Sequence, residues 1–527
     1  MEKTVHAPEG MVVSPHHLAT QSAISVLRDG GTAVEAAVAA AATIAVVSPH
    51  TNGIGGDGFW LIIPPAGDPV AIEACGVAGS LATAELYAGS TSIPYQGPTA
   101  ACTVAGTVGG WHEALNYITE CGYQRKSLKR LLSDAIKYAD SGFPLSTVTV
   151  TQIQSMIAKK VLPKDIARLF LKEGKVPKVG ERFCQPELAV TLKYLAENGL
   201  NSFYNGELAK ALAVDFGYLG IPITESDLNN FRPIRKKPIK LTHSKGDVFN
   251  LPPPTQGLVS LSILGILDKL NIDHKNDAKF IHATVEATKQ AFKMRDQFIT
   301  DPKFMKINPE VILRAENLVN MSTKITERAS HDGKGKGPGD TVWIGVMDNK
   351  GFSVSFIQSL YHEFGSGVVL PSTGIIWHNR GVAFSLDKNS ILALEPGKKP
   401  FHTLNPAGAR LVDGRVMVYG TRGGDGQPQT QAAIFHRYVI QGVPLQRSVS
   451  MPRWCFGRTL GDHTDQLRVE GRFSEETVAA LRKWGHKVQV VEEFSDIMGH
   501  AGALVRHADG ILEGAFDPRS DGSVVGF

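Results

Sequence analysis

At 527 residues, with 43% hydrophobic and 20% charged side chains, the chain has the composition of a soluble globular protein with a sizeable core. A net charge of +4 and a pI near 8.6 are mild for this length; the densest basic run, Arg232 to Lys240, is broken by two prolines and reads as a solvated loop, so a nucleic-acid partner is not expected. Five cysteines, an odd number with no CxxC spacing, argue against a disulfide framework or a zinc site and suit a reducing compartment.

The first twenty residues lack an apolar core behind a basic start and are not expected to be a signal peptide. A helical pattern from His17 closes at Gly30-Gly31, and Thr32 caps a second, alanine-rich helix. Its apolar run, Ala36 to Val47, is too short to span a bilayer. No membrane partner is expected, and the cytoplasm is the expected location. A glycine cluster, "TNGIGGDGF" from Thr51, leads into a short apolar strand, Phe59 to Ile63. A dinucleotide loop would follow a strand and open a helix; this cluster precedes a strand, so that reading fails. From Ser127 to Ile299 apolar residues recur three and four apart, and the stretch reads as mostly helical. Histidines are dispersed, and "PHHL" lacks companions for a ligand set, so neither a metal nor another cofactor is expected.

The character changes after a linker, Gly333 to Gly339, with glycine at every second position. "TVWIGVMD" and "FSVSFIQSL" read as strands joined by a "DNKG" hairpin turn. Further strand candidates are "GIIWH", "GARLVD" and "RVMVYGTRG", followed by a helix over "QTQAAIFHRYVIQG". The stretch beyond Trp454 shows no chemistry and is expected to complete the outer layers. Helices first and strands later, without a βαβ rhythm, predict a layered α+β architecture rather than a doubly wound sheet.

Thr341 is the first residue after the linker and the first of a strand. An internal threonine lacks a nearby base. A threonine freed at its own amino group carries one, since an α-amine has an ordinary pKa of about 7.7–8.0 and can take the Oγ proton. Cleavage between Asp340 and Thr341, with Oγ attacking the Asp340 carbonyl, would create that amine. A β-branched residue opening a strand after a linker is the plain alternative. Gly423-Gly424, just past a strand candidate, can turn backbone N–H groups into an oxyanion pocket, or form an ordinary turn. Ser359 lies on the strand that the DNKG turn pairs with the Thr341 strand; it is a candidate supporting hydroxyl or a plain strand serine.

The blocks "GDTVWIGVMDNKG", "FGSGVVLPSTGI", "KKPFHTLNP", "GTRGGDGQPQ" and "MPRW" resemble, in order and spacing, the γ-glutamyltranspeptidase family, and "NGIGGDGF" looks like its large-subunit glycine signature. The resemblance runs from about Thr20 to Trp454. It implies the N-terminal-nucleophile hydrolase fold, an α+β four-layer αββα sandwich, made as a proenzyme that cuts itself. Residues 1–340 would form the large subunit and 341–527 the small one, held as a heterodimer that is open to further dimerisation. Thr341 would then be the nucleophile, Ser359 its supporting hydroxyl, and Gly423 and Gly424 the oxyanion donors.

Departures from the family point to the substrate. Ile72 precedes Glu73 where the family has an arginine, and Tyr361 stands for an asparagine. Arg380 and Ala383 replace a glutamine and an acidic residue, and His402 and Thr403 replace two serines. Each lost buried charged contact is typically worth about 2–5 kcal/mol, which disfavours a γ-glutamyl group. Arg380 and Arg422 suit a carboxylate close to the scissile amide, unless one pairs with a structural carboxylate such as Asp425 or Asp387. Tyr361 and His402 shrink the pocket. The expectation is a self-processing amidohydrolase for a small anionic amide, and the whole pattern most resembles the branch of the family that hydrolyses oxamate in purine (allantoin) nitrogen salvage. The alternatives are a γ-glutamyl hydrolase or transpeptidase acting on glutathione-like substrates, and a related acylase.

Overall fold

The computed structural model describes residues 3–273, 276–330, 340–457 and 466–527, Asp340 through its backbone alone. The linker from Gly333 to Gly339 lies outside the described residues. Two seven-stranded antiparallel sheets form the centre. One runs in the order Ser523–Gly526, Met11–Ser14, Asp340–Met347, Ser353–Tyr361, Asp57–Ile63, Val70–Ala74, Ile234–Lys236. The other runs Val5–Ala7, Leu512–Phe516, Ala501–Arg506, Val416–Thr421, Ala407–Leu411, Gly246–Asn250, Ile239–His243.

The period-2 alternation of a strand explains the layering. On Asp340–Met347, Val342, Ile344 and Val346 pack into the helical core that contains the fully buried, alanine-rich helix Ala33–Val47. Trp343 and Met347 point the other way, into a core shared with Phe59, Val418 and Leu504 from both sheets. Met417 and Tyr419 of the second sheet face a further helical layer, Gly257–Leu267, Asp277–Phe298 and Gly426–Phe435. Helix, sheet, sheet, helix: the expected αββα sandwich is the fold.

Local chemistry accounts for the elements that position the site. Thr32 and Glu35 form a reciprocal capping box at the start of Ala33–Val47. The Asp348 carboxylate, in the DNKG turn, accepts from the Ala33 N–H at 2.6 Å and ties that helix to the Thr341 hairpin. At Gly420 the two sheets approach closely: a Cβ there would sit 2.2 Å from Trp343 Cδ1. That contact brings the turn after Val416–Thr421 towards the beginning of the Thr341 strand.

Four expectations need correction. The basic run Arg232 to Lys240 is not a loop; it contains Ile234–Lys236 and Ile239–His243, the last strands of the two sheets, and alternating charge with flanking proline is how edge strands protect themselves. With Gly246–Asn250 they interrupt the stretch read as mostly helical. "GIIWH" forms no ladder, only single bridges from Ile376 to Val369 and from Trp377 to Gly55. The C-terminal stretch supplies three strands to the inner sheets, Ala501–Arg506, Leu512–Phe516 and Ser523–Gly526, rather than outer layers alone.

Candidate active site

Thr341 is buried near one end of its strand, and its Oγ1 lies 3.4 Å from Ser359 Oγ. The hairpin register explains the meeting. Val342 opposes Gln358 while Asp340 opposes Tyr361, so a bulge on the partner strand brings Ser359 beside Thr341. Ser359 in turn opposes Asp57 on the next strand. Thr341, Ser359 and Asp57 thus form a row across three strands, on the same face as Trp343, Ile357 and Phe59, between the sheets.

Past the bulge, Tyr361 adopts φ +82, a conformation costly for a side chain of this size. Two contacts hold it there. Its N–H donates to Ser359 Oγ at 2.7 Å, and the Arg380 guanidinium stacks 3.8 Å above its ring. Stacking occupies the face of the guanidinium and leaves its in-plane N–H fork for something else. Arg380 is 1% exposed, and none of its three nitrogens has a hydrogen-bond partner among the described residues. Burial pulls its pKa down, opposed by Tyr361 and Asp57.

His402 and Thr403 are buried in the same neighbourhood. Neither ring nitrogen of His402 has a hydrogen-bond partner among the described residues, nor does Thr403 Oγ1. Burial first, then Arg380, keeps the His402 imidazole neutral, well below its ordinary value. Gln256 Nε2 donates to the carbonyls of Thr403 at 2.6 Å and Gly424 at 2.8 Å, joining this segment to the glycine turn. Gly423 and Gly424 sit at φ +116 and +50, immediately before the helix Gly426–Phe435. Positive φ at consecutive residues followed by a helix N-terminus turns N–H groups to one side, where they favour an anion.

Arg422 is engaged differently from Arg380. It pairs with Asp496, and Asp496 also meets His500 Nε2 at 2.7 Å. Burial alone would raise the Asp496 carboxyl; Arg422 and His500 hold it well below the carboxylate range. Asp425 is taken by Arg295 at 2.7 Å. On another side Thr341 lines a small cavity with His16, His50 and His500. Burial drives the His16 and His50 imidazoles down to about 3, so both are neutral.

Tyr361 also borders a cavity lined by Ile299, Ala383, Leu392 and Phe401. Ile72 faces the helical core, while Glu73, buried beside it, is bridged by Lys236 at 2.6 Å and by Lys399. The sequence reading missed Asp57, His378, Gln256, Asp496 and His500. Only Asp57 had a local signal, as the one charged residue in the glycine cluster and in step with Phe59. Among the described residues His282, Glu286 and His486 form the group with metal-ligand spacing. They are held by one another, by Lys289 and by the Ser330 N–H.

The gamma-glutamyltranspeptidase family profile matches residues 19–527. The chain belongs to the gamma-glutamyltranspeptidase family. It is similar to the oxamate amidohydrolase proenzyme of Klebsiella pneumoniae, 57% identical over 519 residues and 98% of each chain. It also resembles the glutathione hydrolase-like YwrD proenzyme of Bacillus subtilis, 39% identical over 530 residues and the full length of both. The crystal structure of cephalosporin acylase from Bacillus halodurans superimposes with a TM-score of 0.91 at 32% identity, covering 100% of this chain and 97% of that one. This member of the gamma-glutamyltranspeptidase family is a hydrolase acting on amide C–N bonds, with the N-terminal-nucleophile fold. No helix among its described residues is long and apolar enough to cross a membrane.

Proposed function

We propose that the protein is a self-processing amidohydrolase that converts a small anionic amide, best matched by oxamate, to oxalate and ammonia. The observation that carries this reading is Arg380: a buried guanidinium with its face on Tyr361 and its N–H fork unsatisfied, in a pocket whose other polar groups are neutral or likewise unsatisfied. An unpaired buried cation costs several kcal/mol, so a pocket that retains one is built to receive a carboxylate. The similarity to the Klebsiella protein supports the choice of oxamate.

In the precursor, Thr341 Oγ attacks the Asp340 carbonyl and the peptide nitrogen leaves as the α-amine of Thr341. Water then hydrolyses the ester, leaving residues 1–340 and 341–527 as two chains. In turnover the new amine takes the Oγ proton, directly or through water, as Oγ attacks the amide carbon. The N–H groups of Gly423 and Gly424 hold the oxyanion, and Ser359 orients Oγ. The amine returns the proton to the departing nitrogen, ammonia leaves, and water releases oxalate from the acyl-enzyme. Arg380 fixes the carboxylate beside the reacting carbon, with Thr403 and His402 completing the wall. Arg422, already bound to Asp496, braces the glycine turn and contributes positive potential.

Five unpaired cysteines support a reducing, cytoplasmic setting, and the reaction fits nitrogen salvage from purines. The test is ammonia release from oxamate by processed protein, run beside p-nitroaniline release from γ-glutamyl-p-nitroanilide. Preference for the γ-glutamyl compound would overturn the assignment.

A further inference from the structure

A pocket meant for an anion should not also hold a carboxylate, yet Asp57 is there, buried and two strands along from Thr341 in the same row. Its Oδ1 accepts backbone N–H groups from Gly106 at 3.1 Å and Gly76 at 3.4 Å. Its Oδ2 has no hydrogen-bond partner among the described residues, but faces His378 Nδ1 at 3.3 Å and His402 Nε2 at 3.6 Å. The other His378 nitrogen, Nε2, lies 2.9 Å from the Thr103 carbonyl and 3.2 Å from Thr103 Oγ1. A carbonyl only accepts, so Nε2 carries a hydrogen. A neutral His378 would then turn an Nδ1 lone pair towards the unbonded Oδ2 of Asp57, with both side chains buried.

We infer that Asp57 and His378 share one bound proton, so that the pair is neutral overall and Arg380 remains the uncompensated charge that an anionic substrate meets. Whether the proton sits on nitrogen or oxygen does not alter the net charge of the pair. Asp57 is a positioning residue here: it touches no reacting atom, and acts by setting the charge of the pocket and the ring orientation of His378 and His402. The inference rests on the proposed binding of a carboxylate at Arg380.

Other charges reach the pair from each packed element. His402 comes from the Phe401–Thr403 segment, and Arg380 with Tyr361 from the other side of the pocket. Cys75, after Val70–Ala74, is a thiol that burial keeps protonated. Tyr204 contacts the Asp57 region as a neutral phenol. Glu73 lies farther out and is balanced by Lys236 and Lys399. No cation among them neutralises Asp57 by direct contact, which leaves the shared proton to do so.

Without that proton a net negative charge would stand beside Arg380. Oxalate binding to the processed enzyme, measured by calorimetry at neutral pH, should then differ by less than about threefold between wild type and Asp57→Asn, since both pairs are neutral, whereas an unprotonated pair would make the variant bind about tenfold or more tightly. Asp57→Asn keeps an acceptor for Gly76 and Gly106 and offers an N–H to His378 Nδ1. Histidine-selective 15N NMR of the ligand-free protein reads the same proton without substrate. His378 Nδ1 should show a hydrogen, or hydrogen-bonded character, that changes on Asp57→Asn. An oxalate affinity raised about tenfold or more in Asp57→Asn, or an Nδ1 that is bare at neutral pH and unaltered in Asp57→Asn, overturns the inference. Failure of oxalate to bind, with the NMR signature present, counts against the carboxylate site and not against the shared proton.

Discussion

Replacing Arg380 with methionine should move stability and function in opposite directions. Methionine fills a similar volume and keeps contact with the Tyr361 ring through its sulfur. What disappears is a guanidinium that is 1% exposed, with no hydrogen-bond partner among the described residues. Stacking on Tyr361 returns about 0.5–2 kcal/mol to the wild type, whereas the effective penalty for burying an ion is several kcal/mol. The ligand-free variant should therefore be as stable as the wild type or more so, with a melting temperature unchanged or a few degrees higher. Removing one partner of a buried charge pair costs about 2–5 kcal/mol, so kcat/KM for oxamate should fall by about 30-fold to several thousand-fold. Processing needs no substrate carboxylate and should proceed. Three measurements suffice: a melting curve with and without oxalate, steady-state ammonia release, and a denaturing gel. A melting temperature lowered by many degrees would mean that Arg380 is a structural ion. Turnover within threefold of wild type would mean that the carboxylate binds elsewhere.

Thr341→Ala should remain a single chain of 527 residues on a denaturing gel and release no ammonia, whereas Thr341→Ser should retain part of both activities. Gly423→Ala puts a Cβ at φ +116, and re-aiming one oxyanion donor should lower kcat by about 10²–10³ while KM changes little. Acid should destabilise the fold earlier than carboxylates alone would require. Burial lowers His16, His50 and His486 to about 3, against 6.5 in the unfolded chain. Between those values the unfolded state binds more protons, so stability falls with pH, by about 1.4 kcal/mol for each histidine on going from pH 7.5 to 5.5. Equal urea midpoints at the two pH values would refute this.

The sequence made Thr341 and Ser359 legible because their meeting is local. A DNKG turn sets the pairing, alternation sets the face, and only the bulge that completes the alignment lacked a signal. The alanine helix and its cap were readable for the same reason. Asp57, His378 and Asp496 were not, because each acts through partners hundreds of residues or several elements away: His378 meets Asp57, and Asp496 meets Arg422. The basic run misled because edge strands are under pressure to look unlike strands. "GIIWH" misled in the opposite sense, since its apolar residues are buried by helices and single bridges without a ladder.

The arrangement of strands also explains how a chain could be cut at its active site without losing the site. Each sheet draws strands from both sides of the Asp340–Thr341 bond: Met11–Ser14 and Asp57–Ile63 enclose the Thr341 hairpin, and Ala407–Leu411 and Val416–Thr421 lie between Gly246–Asn250 and Ala501–Arg506. Neither piece holds all seven strands of either sheet, so each is bound to the other by the ladder and by the buried cores on both faces. The ladder to Met11–Ser14 covers Gly345 to Met347, away from Thr341. The Thr341 end instead borders the cavity with His16, His50 and His500, whose neutral imidazoles nearby would not repel a newly formed amine. The hairpin to Ser353–Tyr361 continues to fix Oγ1 against Ser359 once the preceding peptide is gone. On the proposed mechanism, scission would cost Thr341 little of its order and would add the amine it lacks.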